Sequence, residues 1–274
     1  MKHRRKTQKL FDLTGRVTLV TGGERGLGRV MAETVGEVGS DVIINYPIPE
    51  EKSRAEETAT LISKLGVRTQ IIQADVTDAE KVEAMFSEAE KTFGRVDVLI
   101  NNAGITSPPA WVHEMSESDW DRVINVNLRG AFLCMKYALP IMMRHKRGCI
   151  INVSSVGALL ASDSRFLSIA NYSASKAGLL ALTRQAAADY APQGIRINAI
   201  ALGHHGKTEL AASWRKSWSE ELVKEYAESE LKRTPMGRRG SNEELMGLVA
   251  FLASDAAGYI TGQTIIQDGG YSLL

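Results

Sequence analysis

Short apolar runs alternate with longer amphipathic stretches from one end of the chain to the other. The apolar runs predict strands at 16–21, 41–46, 68–74, 96–100, 149–154, 195–201 and 264–267, and the amphipathic stretches predict helices at 27–37, 50–65, 79–93, 118–145, 172–190, 209–231 and 242–253. The strands are nearly all apolar, which is typical of a parallel sheet covered by helices on both faces. We therefore predict an α/β fold with one doubly wound parallel sheet and a ligand site at the carboxyl ends of its strands.

Composition and charge exclude several classes of protein. The chain has 274 residues, 44% of them hydrophobic and 24% charged, which is enough for one large core. Its net charge of +1 indicates neither a nucleic-acid partner nor a membrane-surface partner. The two cysteines, Cys134 and Cys149, lie within apolar runs and are predicted to be buried free thiols.

The beginning of the chain is basic. Asp12 and Arg16 interrupt the residues that follow, so the uninterrupted apolar stretch of an export signal is missing. No segment is long and apolar enough to cross a bilayer. We expect residues 1–10 to be a flexible basic tail, residues 11–274 to form a single domain, and the protein to be cytoplasmic.

The first predicted strand ends in a glycine-rich turn, TGGERGLG at 21–28. Glycines let a backbone turn tightly and approach a pyrophosphate, whose charge then meets the amide groups at the start of the next helix. The alternative is a tight turn without a ligand, but its position at the first strand–helix connection favours a phosphate loop. The candidate cofactor-binding residues of this turn are Gly22, Arg25, Gly26, Leu27 and Gly28.

Further motifs follow in a fixed order. Asn-Asn-Ala-Gly at 101–104 follows the fourth predicted strand, Ser155 follows the fifth, and Tyr-Ser-Ala-Ser-Lys at 172–176 opens the next helix. Together with the glycine-rich turn, these motifs resemble the short-chain dehydrogenase/reductase family, over a match from Leu10 to the end of the chain. The resemblance implies a Rossmann-type fold and an oxidoreductase that moves a hydride between NAD or NADP and an alcohol or carbonyl carbon.

The same resemblance implies a catalytic group of Ser155, Tyr172, Lys176 and Asn127. Tyr172 and Lys176 are four residues apart and share one face of a helix. The Lys176 ammonium and the charge of the oxidised nicotinamide are expected to lower the pKa of Tyr172, so that its phenol exchanges a proton with the substrate oxygen. Ser155, favoured over Ser154, is expected to hydrogen-bond that oxygen. Asn127 matches the family asparagine that holds a water against Lys176.

The remaining cofactor contacts are also implied by the resemblance. The further expected members of the cofactor site are Tyr46, Asp75, Val76, Asn102, Ala103, Gly104, Tyr172, Lys176, Gly203 and Thr208. Asn101 and Gly104 are expected to shape the wall beside the adenosine ribose. Asp75 is expected to accept a hydrogen bond from the adenine amino group. The alternative is a turn or helix-cap carboxylate before Thr77.

Two positions bear on the choice between NAD and NADP. The second strand ends at Asn45-Tyr46, where NAD-dependent members usually carry an acid that holds the ribose hydroxyls. Arg25 precedes Gly26, where NADP-preferring members often have a basic residue that can pair with the 2′-phosphate. Pro47 stands where other NADP users supply a second arginine. The residues favour NADP; the alternative is NAD, with Arg25 as a solvated loop charge.

The chain departs from the family pattern on both sides of the expected substrate pocket. The stretch 161–170 is a few residues longer than usual, which predicts a reshaped pocket. Leu202-Gly203 replaces the usual Pro-Gly, and His204-His205 follow it. Adjacent side chains point apart and no third ligand is near in sequence, so no metal site is predicted.

An insert at 209–233 carries Trp214, Trp218 and Tyr226 among many charges. We expect it to belong to a mobile lid, about 204–235, that closes over the substrate. The alternative is a surface helix whose tryptophans pack on the core. Trp111 is expected either to line the opposite wall or to anchor its loop.

Three functions are compatible with these residues. The leading hypothesis is oxidation or reduction of a small polar, sugar-acid or polyol-like substrate, because both ends of the chain resemble gluconate 5-dehydrogenase-like members. The second is a 3-oxoacyl carrier-protein reductase, which needs a basic docking patch; its candidates are Arg129, Lys136, Arg144, Lys146 and Arg147. The third is a non-enzymatic nicotinamide sensor, which is disfavoured because Tyr172 and Lys176 are both present. The resemblance also implies a homotetramer.

Overall fold

The computed structural model describes residues 6–206, 210, 215–216 and 218–273. Within that part of the chain one parallel sheet has seven strands: β1 (Val17–Val20), β2 (Asp41–Tyr46), β3 (Thr69–Gln73), β4 (Val98–Asn101), β5 (Gly148–Ser155), β6 (Ile195–Leu202) and β7 (Thr264–Gln267). Their order across the sheet is β3-β2-β1-β4-β5-β6-β7, and every neighbouring pair is parallel. The predicted doubly wound sheet is confirmed.

The described helices are α1 (Lys6–Leu10), α2 (Gly26–Glu37), α3 (Lys52–Ser63), α4 (Ala79–Phe93), α5 (Glu117–Ile124), α6 (Ala131–Arg144), α7 (Ala170–Tyr190), α8 (Glu220–Arg233) and α9 (Glu244–Ala253). Helix α1 lies in the segment expected to be a flexible tail, and its side chains are exposed. The predicted helix 118–145 consists of α5, a π-helical turn at Asn125–Gly130, and α6. Of the predicted helix 209–231, the structure describes a regular helix only from Glu220 onward.

The ends of α4 show how local sequence sets these bounds. The carboxylate of Asp78 accepts hydrogen bonds from the backbone amides of Glu80 and Lys81, which satisfies free donors at the start of the helix. Gly94 follows the last turn with a φ of +75°, a left-handed conformation that favours glycine. Gly94 therefore ends the helix directly after residue 93, the end that the sequence predicted.

The sheet is covered on both faces, as its apolar strands predicted. Phe86 of α4 and Leu133 of α6 belong to the core on one face, and Met31 of α2 and Val249 of α9 belong to the core on the other. Cys134 and Cys149 are buried free thiols, and burial raises the pKa of Cys134 to about 12. No described helix combines the length and apolarity that crossing a membrane requires.

The order of the strands fixes where a ligand can bind. The chain runs outward from β1 through β2 to β3, and then continues from β4 on the other side of β1. Connections on the two sides of such a switch point diverge, which leaves a crevice at the carboxyl ends of the strands. The segments that follow β1, β4 and β5 meet at this edge of the sheet.

Candidate active site

The glycine-rich turn forms a cradle at the amino end of α2. A Cβ atom on Gly28 would lie 1.9 Å from the carbonyl oxygen of Gly22, so the turn closes only with glycine there. Gly26 has a φ of +53°, and no heavy atom lies within 4 Å of where its Cβ would be. The loop is therefore tight on its inner side and open on its outer side. This geometry, beside the amide groups that begin α2, fits a dinucleotide pyrophosphate.

The segment after β4 braces this cradle. The hydroxyl of Thr21 accepts hydrogen bonds from the backbone amides of Asn102 and Ala103, each at 3.0 Å. The side-chain amide of Asn102 donates to the carbonyl oxygens of Thr21 and Gly22, at 2.9 and 3.0 Å. Thr21 was missed by the sequence analysis. Its position at the carboxyl end of a strand beside Asn102 was the signal that could have found it.

A second brace comes from the end of β2. The buried side chain of Asn45 accepts from the amide of Gly22 at 3.4 Å and donates to the carbonyl oxygen of Ala74 at 2.9 Å. Asn45 therefore joins the phosphate loop to β2 and to the end of β3. In the sequence, Asn45 stood out only because it occupies the end of the second strand, where NAD-dependent members usually carry an acid. Its neighbour Tyr46 is buried in the core.

The structure gives Asp75 a structural role. Its Oδ1 accepts hydrogen bonds from the backbone amide and the hydroxyl of Thr77, at 2.9 and 2.8 Å. This is the turn that was considered as the alternative, and the contact with adenine stays a prediction. Val76 is buried against Gly130, where an added Cβ would lie 2.7 Å from Cγ2 of Val76.

The end of β5 and the start of α7 bring the expected hydroxyls together. Tyr172 lies in the first turn of α7, beside Ser155, the last residue of β5. A Cβ on Gly157 would lie 3.6 Å from Ser155 Oγ and 3.8 Å from Cδ1 of Tyr172. Ser155 Oγ also accepts from the amide of Gly157 at 3.1 Å. Ser154, its rival, is buried and donates to the carbonyl oxygen of Lys176 at 3.1 Å. The structure therefore places Ser155, and not Ser154, beside the phenol.

Lys176 lies beneath this pair. Its side chain is buried, and Nζ donates to the carbonyl oxygen of Val153 at 2.7 Å and lies 5.8 Å from the centre of the Tyr172 ring. Burial lowers the pKa of Lys176 to about 8. Burial raises the pKa of Tyr172, and the hydrogen bond with Ser155 acts in the opposite direction without reversing the rise. The expected lowering of the Tyr172 pKa includes the charge of the oxidised nicotinamide, and it stays a prediction for the cofactor-bound protein.

Asn127 is held by the π-helical turn between α5 and α6. Its Oδ1 accepts from the amide of Ile105 at 2.8 Å, and Nδ2 donates to the carbonyl oxygen of Ile105 and to Ser175 Oγ. A Cβ on Gly104 would lie 3.4 Å from both Asn127 Oδ1 and Lys176 Nζ. Gly104 therefore lets these two side chains approach each other. Ser175 was missed because its contact depends on the packing of α7 against the π-helical turn.

The sixth strand carries the opposite wall of the site. Leu202 lies opposite Ser155 in the β5–β6 ladder, so the residues that follow it border the same pocket. A Cβ on Gly203 would lie 2.6 Å from the Cα of Asp268, which gives this glycine a packing role. Its contact with the nicotinamide stays a prediction. Thr208 and Trp214 lie outside the described residues.

The two histidines after Gly203 point in different directions, as predicted. Nε2 of His204 lies 2.8 Å from Oε1 of Glu230, whereas Nδ1 of His205 lies 3.3 Å from the carbonyl oxygen of Gly203. Glu230 is buried and also contacts Arg239. Within the described ranges, no three His, Cys, Asp or Glu side chains are grouped as metal ligands would be.

The long stretch before α7 packs against the insert. The ring of Phe166 lies 5.5 Å from that of Tyr226 and 6.4 Å from that of Trp218, measured between ring centres. On the other side, the amide of Ala110 donates to the carbonyl oxygen of Ser168 at 2.8 Å. Trp218 therefore fits the packing alternative. Trp111 is 60% exposed, which does not fit an anchor for its loop.

Comparison with known proteins assigns the family. A family model described as enoyl-(acyl carrier protein) reductase matches residues 22–272. The chain belongs to the short-chain dehydrogenase/reductase family. The 3-oxoacyl-[acyl-carrier-protein] reductase of Staphylococcus aureus is 42% identical over 252 residues, which cover 92% of this chain and 96% of the relative. Glucose 1-dehydrogenase 2 of Bacillus subtilis is 38% identical over 263 residues, 96% of each chain.

Solved structures give the same result for this short-chain dehydrogenase/reductase. A gluconate 5-dehydrogenase from Burkholderia cenocepacia, crystallised in complex with NADP and tartrate, superposes with a TM-score of 0.88 at 33% identity and covers 98% of this chain and 99% of its own. The predicted family, fold and oxidoreductase function are confirmed.

Proposed function

We propose that this oxidoreductase interconverts a secondary alcohol and a ketone on a small polar substrate, with Tyr172 as the acid–base residue. The observation that carries the proposal is the position of Tyr172 beside Ser155 at the carboxyl edge of the sheet, above buried Lys176. During reduction, Tyr172 donates its proton to the carbonyl oxygen while Ser155 holds that oxygen. During oxidation, Tyr172 accepts the hydroxyl proton. A bound nicotinamide dinucleotide supplies or accepts the hydride.

The cofactor proposed for this site is NADP, with NAD as a second possibility. Gly22, Gly26 and Gly28 would hold the pyrophosphate, and Lys176 would bind the nicotinamide ribose beside Tyr172. Arg25, whose side chain is 44% exposed at the lip of the cradle, would pair with the 2′-phosphate. The other residues proposed to contact the cofactor are Leu27, Tyr46, Asp75, Val76, Asn102, Ala103, Gly104, Gly203 and Thr208.

A polar wall near Ser155 supports a small hydroxylated or acidic substrate. His204 is two residues beyond the position opposite Ser155, and its ring centre lies 5.0 Å from that of Tyr271. Nδ1 of His204 is buried and has no hydrogen-bond partner among the described residues. An unpaired buried nitrogen favours a ligand with a hydroxyl, which can pair with it. This chemistry suits a sugar acid or a polyol.

The carrier-protein reductase is the second candidate, favoured by the 42% identity to the Staphylococcus aureus enzyme. Several of its candidate docking cations already have partners in this structure. Arg144 contacts Glu90, Arg147 lies 2.9 Å from Asp255, and Arg129 donates to the carbonyl oxygen of Thr77. Paired cations attract an acidic protein less strongly, so we rank this function second.

The proposal also covers assembly, the insert and the location. A homotetramer is supported by two large apolar side chains on the α5 and α6 surface, Trp120 and Phe132, which are 41% and 48% exposed.

The described part of the insert, α8, packs on the stretch before α7 through Tyr226 and can act as a lid only if that contact opens. A cytoplasmic location stays a prediction from the sequence.

A substrate panel tests the proposed function. Purified enzyme with NADPH is offered 5-ketogluconate, small polyhydroxy ketones and an acetoacetyl thioester, and NADPH absorbance is followed. We expect kcat/KM for the sugar-acid and polyol class to exceed that for the thioester by at least about tenfold, because the wall at His204 is polar. A higher kcat/KM for the thioester would favour the carrier-protein reductase instead.

The rate of carbonyl reduction should fall as the pH rises above about 8. The pKa of Lys176 is lowered from 10.5 to about 8, so its ammonium is present below that pH and is lost above it. The pKa of Tyr172 is raised, so the phenol keeps its proton over this range. The measurement is a pH–rate profile of the wild type and of Lys176→Arg, whose guanidinium stays charged. If the rate of carbonyl reduction by Lys176→Arg fell at the same pH, a group other than Lys176 would be responsible for the fall.

A further inference from the structure

A buried carboxylate lies inside the phosphate loop. Glu24 is 4% exposed, and its Oε2 is buried without a hydrogen-bond partner among the described residues. Its other oxygen, Oε1, lies 3.4 Å from Nε of Arg25, and burial raises the pKa of Glu24. An unsatisfied buried carboxylate is costly and occurs mostly where a ligand or a reaction needs it.

Glu24 belongs to a cluster of two acids and two bases. Nη1 of Arg25 lies 3.7 Å from Oε1 of Glu51, and Nη1 of Arg54 lies 3.3 Å from Oε2 of the same carboxylate. The guanidinium of Arg25 therefore lies between the carboxylates of Glu24 and Glu51. When both acids are ionised, the four charges of this cluster sum to zero.

The cluster spans the place where an adenosine ribose would lie. Glu24 and Arg25 come from the phosphate loop, whereas Glu51 and Arg54 come from the residues after β2. The hydroxyl of Thr58 in α3 donates to the carbonyl oxygen of Glu24 at 3.1 Å, which ties the two segments together. In dinucleotide-binding folds, the ribose hydroxyls of the adenosine lie between the glycine-rich turn and the end of β2.

We propose that Glu24 is a cofactor-discriminating residue, which offsets the charge of Arg25 beside the ribose 2′ position and thereby limits the preference for NADP over NAD. A 2′-phosphate must compete with Glu24 and Glu51 for Arg25, and both carboxylates repel it. A ribose with a free 2′-hydroxyl meets no such repulsion. The proposal rests on the role given to Arg25 under the proposed function.

The test is direct binding of both cofactors to Glu24→Gln, without substrate. Glutamine keeps the shape of glutamate and removes its charge. Dissociation constants for NADPH and NADH are measured by nicotinamide fluorescence on the wild type and the variant. We expect the ratio of the NADH constant to the NADPH constant to rise about tenfold, equal to about 1.4 kcal/mol. Glu56→Gln, which removes an exposed charge of α3 that pairs with Lys52 and not with Arg25, is the matched control and should leave the ratio unchanged.

The outcomes distinguish the role proposed for Glu24 from the role of Arg25 on which it rests. An unchanged ratio in a Glu24→Gln protein that still binds NADH as the wild type does would overturn the role of Glu24. If Glu24→Gln does not fold, Glu51→Gln replaces it, with a smaller rise in the same ratio expected and no rise overturning the proposal. Arg25→Ala, measured in parallel, should weaken NADPH binding; unchanged NADPH binding would instead refute the assignment of Arg25.

Discussion

Replacing Tyr172 by phenylalanine is expected to lower kcat for carbonyl reduction by about 10²- to 10⁴-fold, the usual contribution of a general acid. The variant keeps the ring and loses only the hydroxyl on the side of Ser155. The free energy of unfolding should therefore fall by only about 1 kcal/mol. Cofactor dissociation constants should stay near the wild-type values, because the pyrophosphate cradle is unchanged.

The measurement is steady-state kinetics on the best substrate of the panel, together with cofactor titration of the same preparations. Tyr259→Phe is the matched control, since its side chain is fully exposed, and it should leave both quantities unchanged. Near wild-type turnover by Tyr172→Phe would remove Tyr172 from the mechanism. Since the family assignment does not depend on this residue, another proton donor would then have to be found at the same edge of the sheet.

Replacing Gly28 by alanine is expected to weaken the binding of NADPH and NADH by about 100-fold. The new Cβ would lie 1.9 Å from the carbonyl oxygen of Gly22 and 2.6 Å from Nδ2 of Asn102. The phosphate loop must then shift, and displacements of about 1 Å are enough for losses of this size. The same substitution breaks the hydrogen bond from Asn102 to Gly22, so the brace after β4 should loosen with it.

A second glycine provides the control. Gly247 lies in α9 with no atom within 4 Å of its added Cβ, and Gly247→Ala should raise the free energy of unfolding by about 0.5–1 kcal/mol. Cofactor titration of both variants tests the expected loss of binding, and chemical unfolding tests the expected change in stability. If Gly28→Ala bound NADPH as tightly as the wild type, the turn would not be the pyrophosphate cradle.

Much of the fold was predictable because its signals are local. Alternation of apolar strands with amphipathic helices indicated the sheet and its two layers, since a strand without a polar face must be covered on both sides. Asp78 and Gly94 set the ends of α4 through hydrogen bonds and backbone conformation within a few residues. The π-helical turn at Asn125–Gly130 was not predicted, because its wider winding leaves no distinct apolar period.

The site was predicted unevenly. Tyr172 and Lys176 were found because the Tyr-Ser-Ala-Ser-Lys motif resembles the family pattern, and their spacing places both on one face of a helix. Thr21, Asn45 and Ser175 were missed, since each acts through a partner from a distant segment. For Asp75 the sequence left a ligand contact and a turn open; the structure shows the turn with Thr77, and the contact with adenine stays a prediction. The effect of burial was also not predictable from the sequence: in the protein alone burial raises the pKa of Tyr172, and the lowered pKa expected with the oxidised nicotinamide stays a prediction.

The sequence by itself determined the parallel α/β architecture and the glycine-rich turn, because apolar periodicity and backbone conformation act over a few residues, and its ordered motifs carried the resemblance that pointed to Tyr172 and Lys176. Only the tertiary structure decided that Ser154 is bonded to the backbone of Lys176, which side chains support the glycine-rich turn, and that Glu24 is buried beside Arg25. These contacts join β1, β2, β4 and β5 with α3 and α7, and distances between such segments are set by how the sheet packs. That packing also withdraws Lys176 and Glu24 from water, and desolvation is what shifts their pKa values.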